Sequence, residues 1–167
     1  MKKLALIIAC ITGMAVIAQS PVDKIFNKYA GKDGYTTVEI NSMMFKLMSN
    51  IETNDPEYED FKKATSGIES IRILAQDNGG ANFARELLDI LPREKYEEMM
   101  VVKESDEEVV FLAREEGGIV TEFLLIVDGK GNDDALIVFK GNIDLESIAS
   151  LSGAMDLPAM ESLEDLE

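Results

Sequence analysis

Four strand-like segments follow one another closely in the second half of the chain, and they constrain the fold more than any other feature. They run over about 99–104, 109–114, 119–127 and 135–140 and are rich in β-branched and aromatic residues. The connections between them are too short for a crossover between parallel strands. Each segment must therefore lie antiparallel to the next, and a four-stranded meander is predicted.

The first half of the chain adds helices and two further strands. A helix is predicted to begin at Pro21 behind the cap Ser20, and a last helix is predicted to begin at Leu145 behind the cap Asp144. Between these two helices, the residue patterns predict strands at Tyr35–Ile40 and Ile68–Ala75. The element order is αβααβαββββα. The predicted class is α+β, with a mostly antiparallel sheet, the C-terminal four-stranded meander and packed helices.

The second helix is predicted to follow Asn41, which suits an N-cap. Helical spacing predicts that Met44, Leu47, Met48 and Ile51 lie along one face of it. Methionine fills irregular cores and also forms adaptable binding surfaces. The spacing favours a core position for the methionines at 43, 44, 48, 99 and 100.

The N-terminus has the pattern of a secretory signal peptide. Lys2 and Lys3 precede an uncharged apolar run that ends at Ala18. The predicted organisation is a signal peptide over 1–18, a single α+β domain over 19–152, and an acidic, loosely ordered tail over 153–167. The predicted location is periplasmic or secreted, with a soluble chain after cleavage at Ala18. Lipid attachment at Cys10 is the less favoured alternative.

Composition excludes several classes of function. The chain has no histidine and a single cysteine, Cys10, so serine–histidine, cysteine–histidine and common zinc sites cannot be built from the predicted mature chain. Its 16 basic and 32 acidic residues give a net charge of −16. Such a polyanion repels nucleic acid and anionic membrane surfaces. No cofactor is implied, and basic proteins remain plausible partners.

Two groups of acidic residues are candidates for chemistry. A glycine-containing loop carries Asp128, Asn132, Asp133 and Asp134, whose oxygens suit calcium. The spacing differs from that of an EF-hand, so an ordinary turn is favoured and calcium is not expected. Glu122 interrupts an apolar strand and would be an acid or base if buried. Pairing with Arg114 across the hairpin, or exposure to solvent, is favoured instead.

The meander is apolar on both of its faces, whereas a half-exposed strand should alternate apolar and polar residues. Either the helices cover both faces, or one face is covered by a ligand or another chain. The candidate interface on one set of alternating positions comprises Val110, Leu112, Val120, Leu124, Ile126, Leu136 and Val138.

Four stretches of the sequence resemble a known family. They are Phe26–Val38, Met44-Phe45, Gly67–Leu74 and Lys140–Leu145. Together they resemble the exported bacterial family called domain of unknown function 4252. The resemblance covers nearly the whole predicted mature chain and implies a small exported protein of the cell envelope. It implies no active site.

These observations predict a non-enzymatic exported domain that binds another protein or itself. The alternative from another class is an envelope carrier that holds an apolar ligand between sheet and helices. A flat apolar patch with a polar rim would favour the binding module. An apolar pocket of ligand size would favour the carrier.

Overall fold

The computed structural model describes residues 20–51, 56–76, 80–91, 95–131 and 133–144. The predicted signal peptide with Cys10, the predicted last helix from Leu145 and the predicted tail over 153–167 lie outside these residues. Within the described ranges, no helix is long and apolar enough to span a membrane.

Six strands form one sheet in which every neighbouring pair is antiparallel. The strands are β1 (Tyr35–Asn41), β2 (Ile68–Gln76), β3 (Glu97–Lys103), β4 (Glu107–Glu116), β5 (Ile119–Gly129) and β6 (Ala135–Ile143). Their order across the sheet is β1-β2-β6-β5-β4-β3. The meander β3–β6 and the α+β class are therefore confirmed.

The helices are α1 (Pro21–Tyr29), α2 (Ser42–Ser49), α3 (Pro56–Thr65) and α4 (Phe83–Ile90). Caps fix where several of them begin. The Ser20 side chain accepts a hydrogen bond from the backbone N–H of Asp23, and Pro21 occupies the first helical turn. The Asn82 side chain accepts from the N–H of Arg85 at the start of α4.

The β4–β5 hairpin shows how local sequence fixes strand pairing. Gly117 and Gly118 form its two-residue turn with φ values of 66° and 84°. Turns of this left-handed kind match the twist of the flanking strands, and glycine adopts them without strain. The turn pairs Glu116 with Ile119 and Glu115 with Val120, and a shift of register next to Arg114 then places Arg114 opposite Glu122.

The sheet has a core on each side. On the first face, α1 and α4 pack on apolar residues of four strands. Glu86 of α4 also accepts hydrogen bonds at 2.7 Å from Lys28 and Tyr29 of α1. The buried residues of this first core include Val22, Ile25, Phe26, Phe83, Leu87, Leu74, Val110, Leu124, Leu136 and Val138.

The second face carries a separate aromatic-rich core. Phe45 of α2 is buried in it, and Phe61 of α3 packs against it. The strand residues of this core include Ile71, Val109, Phe111, Phe123, Leu125, Ile137 and Phe139. Helices thus lie on both faces, so the apolar residues on both sides of the meander are accounted for within one chain.

Candidate functional site

The candidate interface of the meander is a core surface, and this part of the prediction is wrong. Six of its seven residues belong to the first core: Val110, Leu112, Leu124, Ile126, Leu136 and Val138. Leu124 and Leu136 are both 0% exposed. Because α1 and α4 cover this face, these six side chains are not accessible to another chain.

Val120 departs from the other six for a separate reason. It packs against the second core, on the opposite side of the sheet. The β5 ladders shift register between Val120 and Glu122. Such an irregularity breaks the strict alternation of side chains between the two faces. Counting alternate positions along the sequence therefore assigned Val120 to the wrong face.

An apolar surface is nevertheless exposed, and it lies on α2. Met43 is 69% exposed and Leu47 is 63% exposed, and Met44 and Ile51 are also exposed. Phe45 is the only residue that α2 buries. We call Met43, Met44, Leu47 and Ile51 the α2 row. Of the four residues predicted along one face of this helix, Met44, Leu47 and Ile51 belong to this exposed row.

The orientation of α2 follows from its direct junction with β1. β1 ends at Asn41 and α2 begins at Ser42, with no connecting residue between them. The Asn41 side chain caps the helix by accepting hydrogen bonds from the N–H groups of Met43 and Met44. The strand and its cap therefore set which side of α2 meets the sheet, and that side carries Phe45.

Exposed apolar side chains are concentrated in this region. Among the described residues, eight large hydrophobic side chains are exposed, and five of them lie between Val38 and Ile51. Met99, at the opposite edge of the sheet, is exposed as well. The core position predicted for the methionines is therefore wrong for Met43, Met44 and Met99. A contiguous stretch of chain that leaves so much apolar surface in water is typical of an interaction site.

Glu122 is buried at the centre of a group of polar and charged side chains. It is 1% exposed and lies on the first face, beyond the apolar part of the core. Tyr96 donates a hydrogen bond of 2.8 Å to Glu122 Oε2. Arg114 Nη1 lies 3.3 Å from Glu122 Oε2, and Lys140 Nζ lies 3.3 Å from Glu122 Oε1. The predicted pair with Arg114 is therefore present, and Lys140 adds a cation that the sequence analysis missed.

The charges continue across the sheet toward α1. Arg72 Nη1 donates a 2.6 Å hydrogen bond to Asp23 Oδ1 of α1, and Lys140 Nζ lies 4.0 Å from the same oxygen. The Arg72 guanidinium also lies 3.8 Å from the centre of the Phe26 ring. We call Arg72, Lys140, Glu122 and Arg114 the charged row.

Asp23 and Glu122 supply negative charge beside the three cations of this row. Burial would raise the pKa of Asp23, but the hydrogen bonds from Arg72 and Ser20 and the charge of Lys140 hold it below its ordinary value. Together with Asp23, the row joins α1 and four strands by alternating charges, which is a structural arrangement.

The acidic loop before β6 is directed toward α4. Asp134 Oδ2 accepts a hydrogen bond from the backbone N–H of Ala84. Asp128 accepts from the Asn82 side chain at 2.7 Å and pairs with Arg85 at 2.6 Å. Burial raises the pKa of Asp134, while the bond from Ala84 opposes that rise.

These contacts give two of the candidate calcium ligands other partners. Asn132 lies outside the described residues. Among all the residues that the structure describes, no group of three or more acidic side chains could hold a metal ion. Asp128 and Asp134 serve to anchor the first turn of α4 to the sheet.

Tyr96 is expected to make the protein sensitive to alkali. Burial, reinforced by the charge of Glu122, raises the pKa of Tyr96 above its ordinary value of about 10. Above about pH 10, the Tyr96 hydroxyl loses its proton in the unfolded chain but keeps it in the folded chain. The free energy of unfolding therefore falls as pH rises. Tyr96→Phe should make this fall shallower, which urea unfolding at a series of pH values above 9 would measure.

The comparison isolates Tyr96 because the other tyrosines are present in both chains. Burial also raises the pKa of Tyr29, so some alkaline dependence should persist in the variant. An identical slope in the two proteins would contradict the assignment.

Comparison with known proteins places the chain in a family but gives it no activity. The family model described as domain of unknown function (DUF4252) matches residues 29–151. This span includes all six strands and three of the four described helices in full. No curated protein and no solved structure matches the chain.

Proposed function

Because the chain belongs to the DUF4252 family, whose description names no activity, we propose its function from its surface: it is a non-enzymatic protein-binding module that acts through the α2 row. The observation that carries the proposal is the outward orientation of α2. Four large apolar side chains are exposed on and just after a helix that buries only one residue. The hydrophobic effect within a single chain would favour the opposite orientation of α2, with these four side chains buried.

The charge of the protein limits the kind of partner. The chain carries a net charge of −16, whereas Lys46 is the only charged residue between Asn41 and Ile51. A partner that presents an apolar groove with a basic rim would bury the α2 row and be attracted by the net negative charge of the chain. Helices that dock by one apolar side into a groove use this mode of recognition.

The proposal includes export to the cell envelope. It rests on the basic start, the short apolar run before Ala18 and the small residues at its end. In that compartment the partner would be another envelope protein or a second copy of the chain.

The carrier alternative has less support from the packing. The space between the sheet and helices α1 and α4 is occupied by side chains such as Phe26, Phe83 and Leu87, each no more than 2% exposed. A ligand there would have to displace well-packed core residues. The α2 row, in contrast, is already accessible.

The test replaces two residues of the row. In the double variant Met43→Glu with Leu47→Glu, binding should fall by at least tenfold, because two charges would enter an apolar contact. The full chain would be immobilised and exposed to a solubilised envelope fraction, and its own association would be followed by sedimentation velocity. Met99→Glu is the matched control, since Met99 is also apolar and exposed but lies at the other edge of the sheet.

The result has to depend on the position of the substitution. A partner lost by the α2 variant and retained by the Met99 variant would support the proposal. Equal binding by all three proteins, or no association of any kind by the unmodified chain, would overturn it.

A further inference from the structure

The outer edge of β1 is the second exposed feature of this region. β1 is the last strand on its side of the sheet, and in the described part of the chain nothing pairs with its outer edge. Thr36, Thr37, Val38 and Glu39 are all exposed. An unpaired strand edge presents backbone N–H and C=O groups that can accept another strand.

The two edges of the sheet differ in how they are protected. β3 carries Glu97, Glu98 and Lys103, and its ladder is irregular between Glu98 and Met100. Charges and bulges of this kind prevent strands from pairing edge to edge. β1 has a continuous ladder with β2, and Glu39 is its only charged residue.

The sequence of β1 is complementary to itself. If two copies pair antiparallel about a two-fold axis at Val38, Thr36 lies opposite Ile40 of the other copy, and Thr37 lies opposite Glu39. Three β-branched residues, Thr36, Val38 and Ile40, then line one face of the junction, which favours pairing. No glutamate lies directly opposite its own copy.

Charge also favours a second copy at this place. The chain is strongly acidic, so two copies repel each other over most of their surface. The segment 35–51, which forms β1 and α2, contains one glutamate and one lysine and is neutral as a whole. Two copies can therefore approach along β1 with the least electrostatic opposition.

We propose that two copies of this chain associate by antiparallel pairing of their β1 strands about Val38, which joins the two six-stranded sheets into one. The interface is isologous, because the same strand contributes from both copies. This inference goes beyond the proposed function: it concerns the backbone edge of β1, whereas the proposed function concerns the side chains of the α2 row.

A single-cysteine experiment tests the register. Cys10 is the only cysteine, so Cys10→Ser gives a full-length background for Val38→Cys. Across an antiparallel pair, opposite Cβ atoms are about 4.5–5.5 Å apart, close enough for a disulfide with small adjustments. Under a mild oxidant, Val38→Cys should form mostly disulfide-linked dimers on a non-reducing gel.

Two control positions make the result specific. In the proposed register the two copies of residue 36 are separated by four residues along the strands, or about 14 Å, so Thr36→Cys should remain largely monomeric. Met99→Cys, which is exposed at the opposite edge, should also remain monomeric. Equal cross-linking at all three positions, or more at position 36 than at position 38, would overturn the proposal.

Sedimentation equilibrium of the Cys10→Ser chain checks the association without any cross-link. A dimer at micromolar concentration is expected, and a monomer at every concentration would overturn the inference. That failure is separate from failure of the proposed function. A monomer that still loses an envelope partner on Leu47→Glu would retain the α2 row as a binding site and eliminate β1 pairing alone.

Discussion

Replacing Leu124 by glutamate is expected to lower the free energy of unfolding by about 3–5 kcal/mol, the usual cost of an uncompensated buried charge. Leu124 is 0% exposed and lies in the first core, beneath α1 and α4. The new carboxylate would replace an apolar side chain that water does not reach. Because small domains are stable by only about 5–15 kcal/mol, much of the native state would be lost on mild heating. Urea and thermal unfolding, followed by circular dichroism, would measure the effect.

Leu47→Glu is the matched control, because it makes the same chemical change at an exposed leucine. Its effect on the free energy of unfolding should stay within about 0.5 kcal/mol. The pair of variants separates the two apolar surfaces of the protein: Leu124 supports folding, and Leu47 is available for binding. Similar losses in both variants would mean that the α2 row is part of the core and would contradict its assignment as a binding surface.

Glu122→Ala should have the next largest effect and lower the free energy of unfolding by about 3 kcal/mol. The substitution removes the acceptor of the Tyr96 hydroxyl and the counter-charge shared by Arg114 and Lys140. The expected loss is at the lower end of the range for a broken buried ion pair. The reason is that the side chains of Arg114 and Lys140 remain 31% and 32% exposed, so water can partly replace the lost carboxylate.

A double-mutant cycle would assign the loss to the pair. Glu122→Ala, Arg114→Ala and the double variant would be compared by urea unfolding, and a coupling energy above about 0.5 kcal/mol is expected for residues in direct contact. Glu116→Ala serves as a control, because Glu116 also lies near Arg114 but is 66% exposed. An additive cycle would show that Arg114 and Glu122 are neighbours without energetic coupling.

The strands of the meander were predictable because their signals are local. Segments rich in β-branched and aromatic residues, joined by short connections, required antiparallel neighbours, and the Gly117-Gly118 turn fixed the first pairs of β4 and β5. The pair of Arg114 and Glu122 was predicted from their positions on either side of the hairpin, although the register shifts between Arg114 and Glu115. Lys140 was not assigned to Glu122, because the connection from Gly129 to Ala135 is longer than a two-residue turn and does not specify the register of β5 and β6.

Close approach of distant segments also shaped the sheet in ways that periodicity does not reveal. Gly141 of β6 has φ of 140°, and a Cβ atom there would collide with the backbone at Gly67. The register of β2 and β6 shifts at this point, between Ile68 and Ser70. A glycine at each position permits the contact, but the sequence does not state which glycines meet.

The sequence by itself determined the α+β class, the order of the described elements and the apolar character of both sheet faces. Only the tertiary structure decided which apolar residues are buried. Leu124 and Leu47 look alike in the sequence, yet one lies beneath α1 and α4 and the other faces solvent. Periodicity gives the relative orientation of neighbouring side chains, whereas burial depends on what a distant part of the chain places over them. For α2 that choice was made by its junction with β1 at Asn41, which turns Phe45 inward and leaves the α2 row exposed.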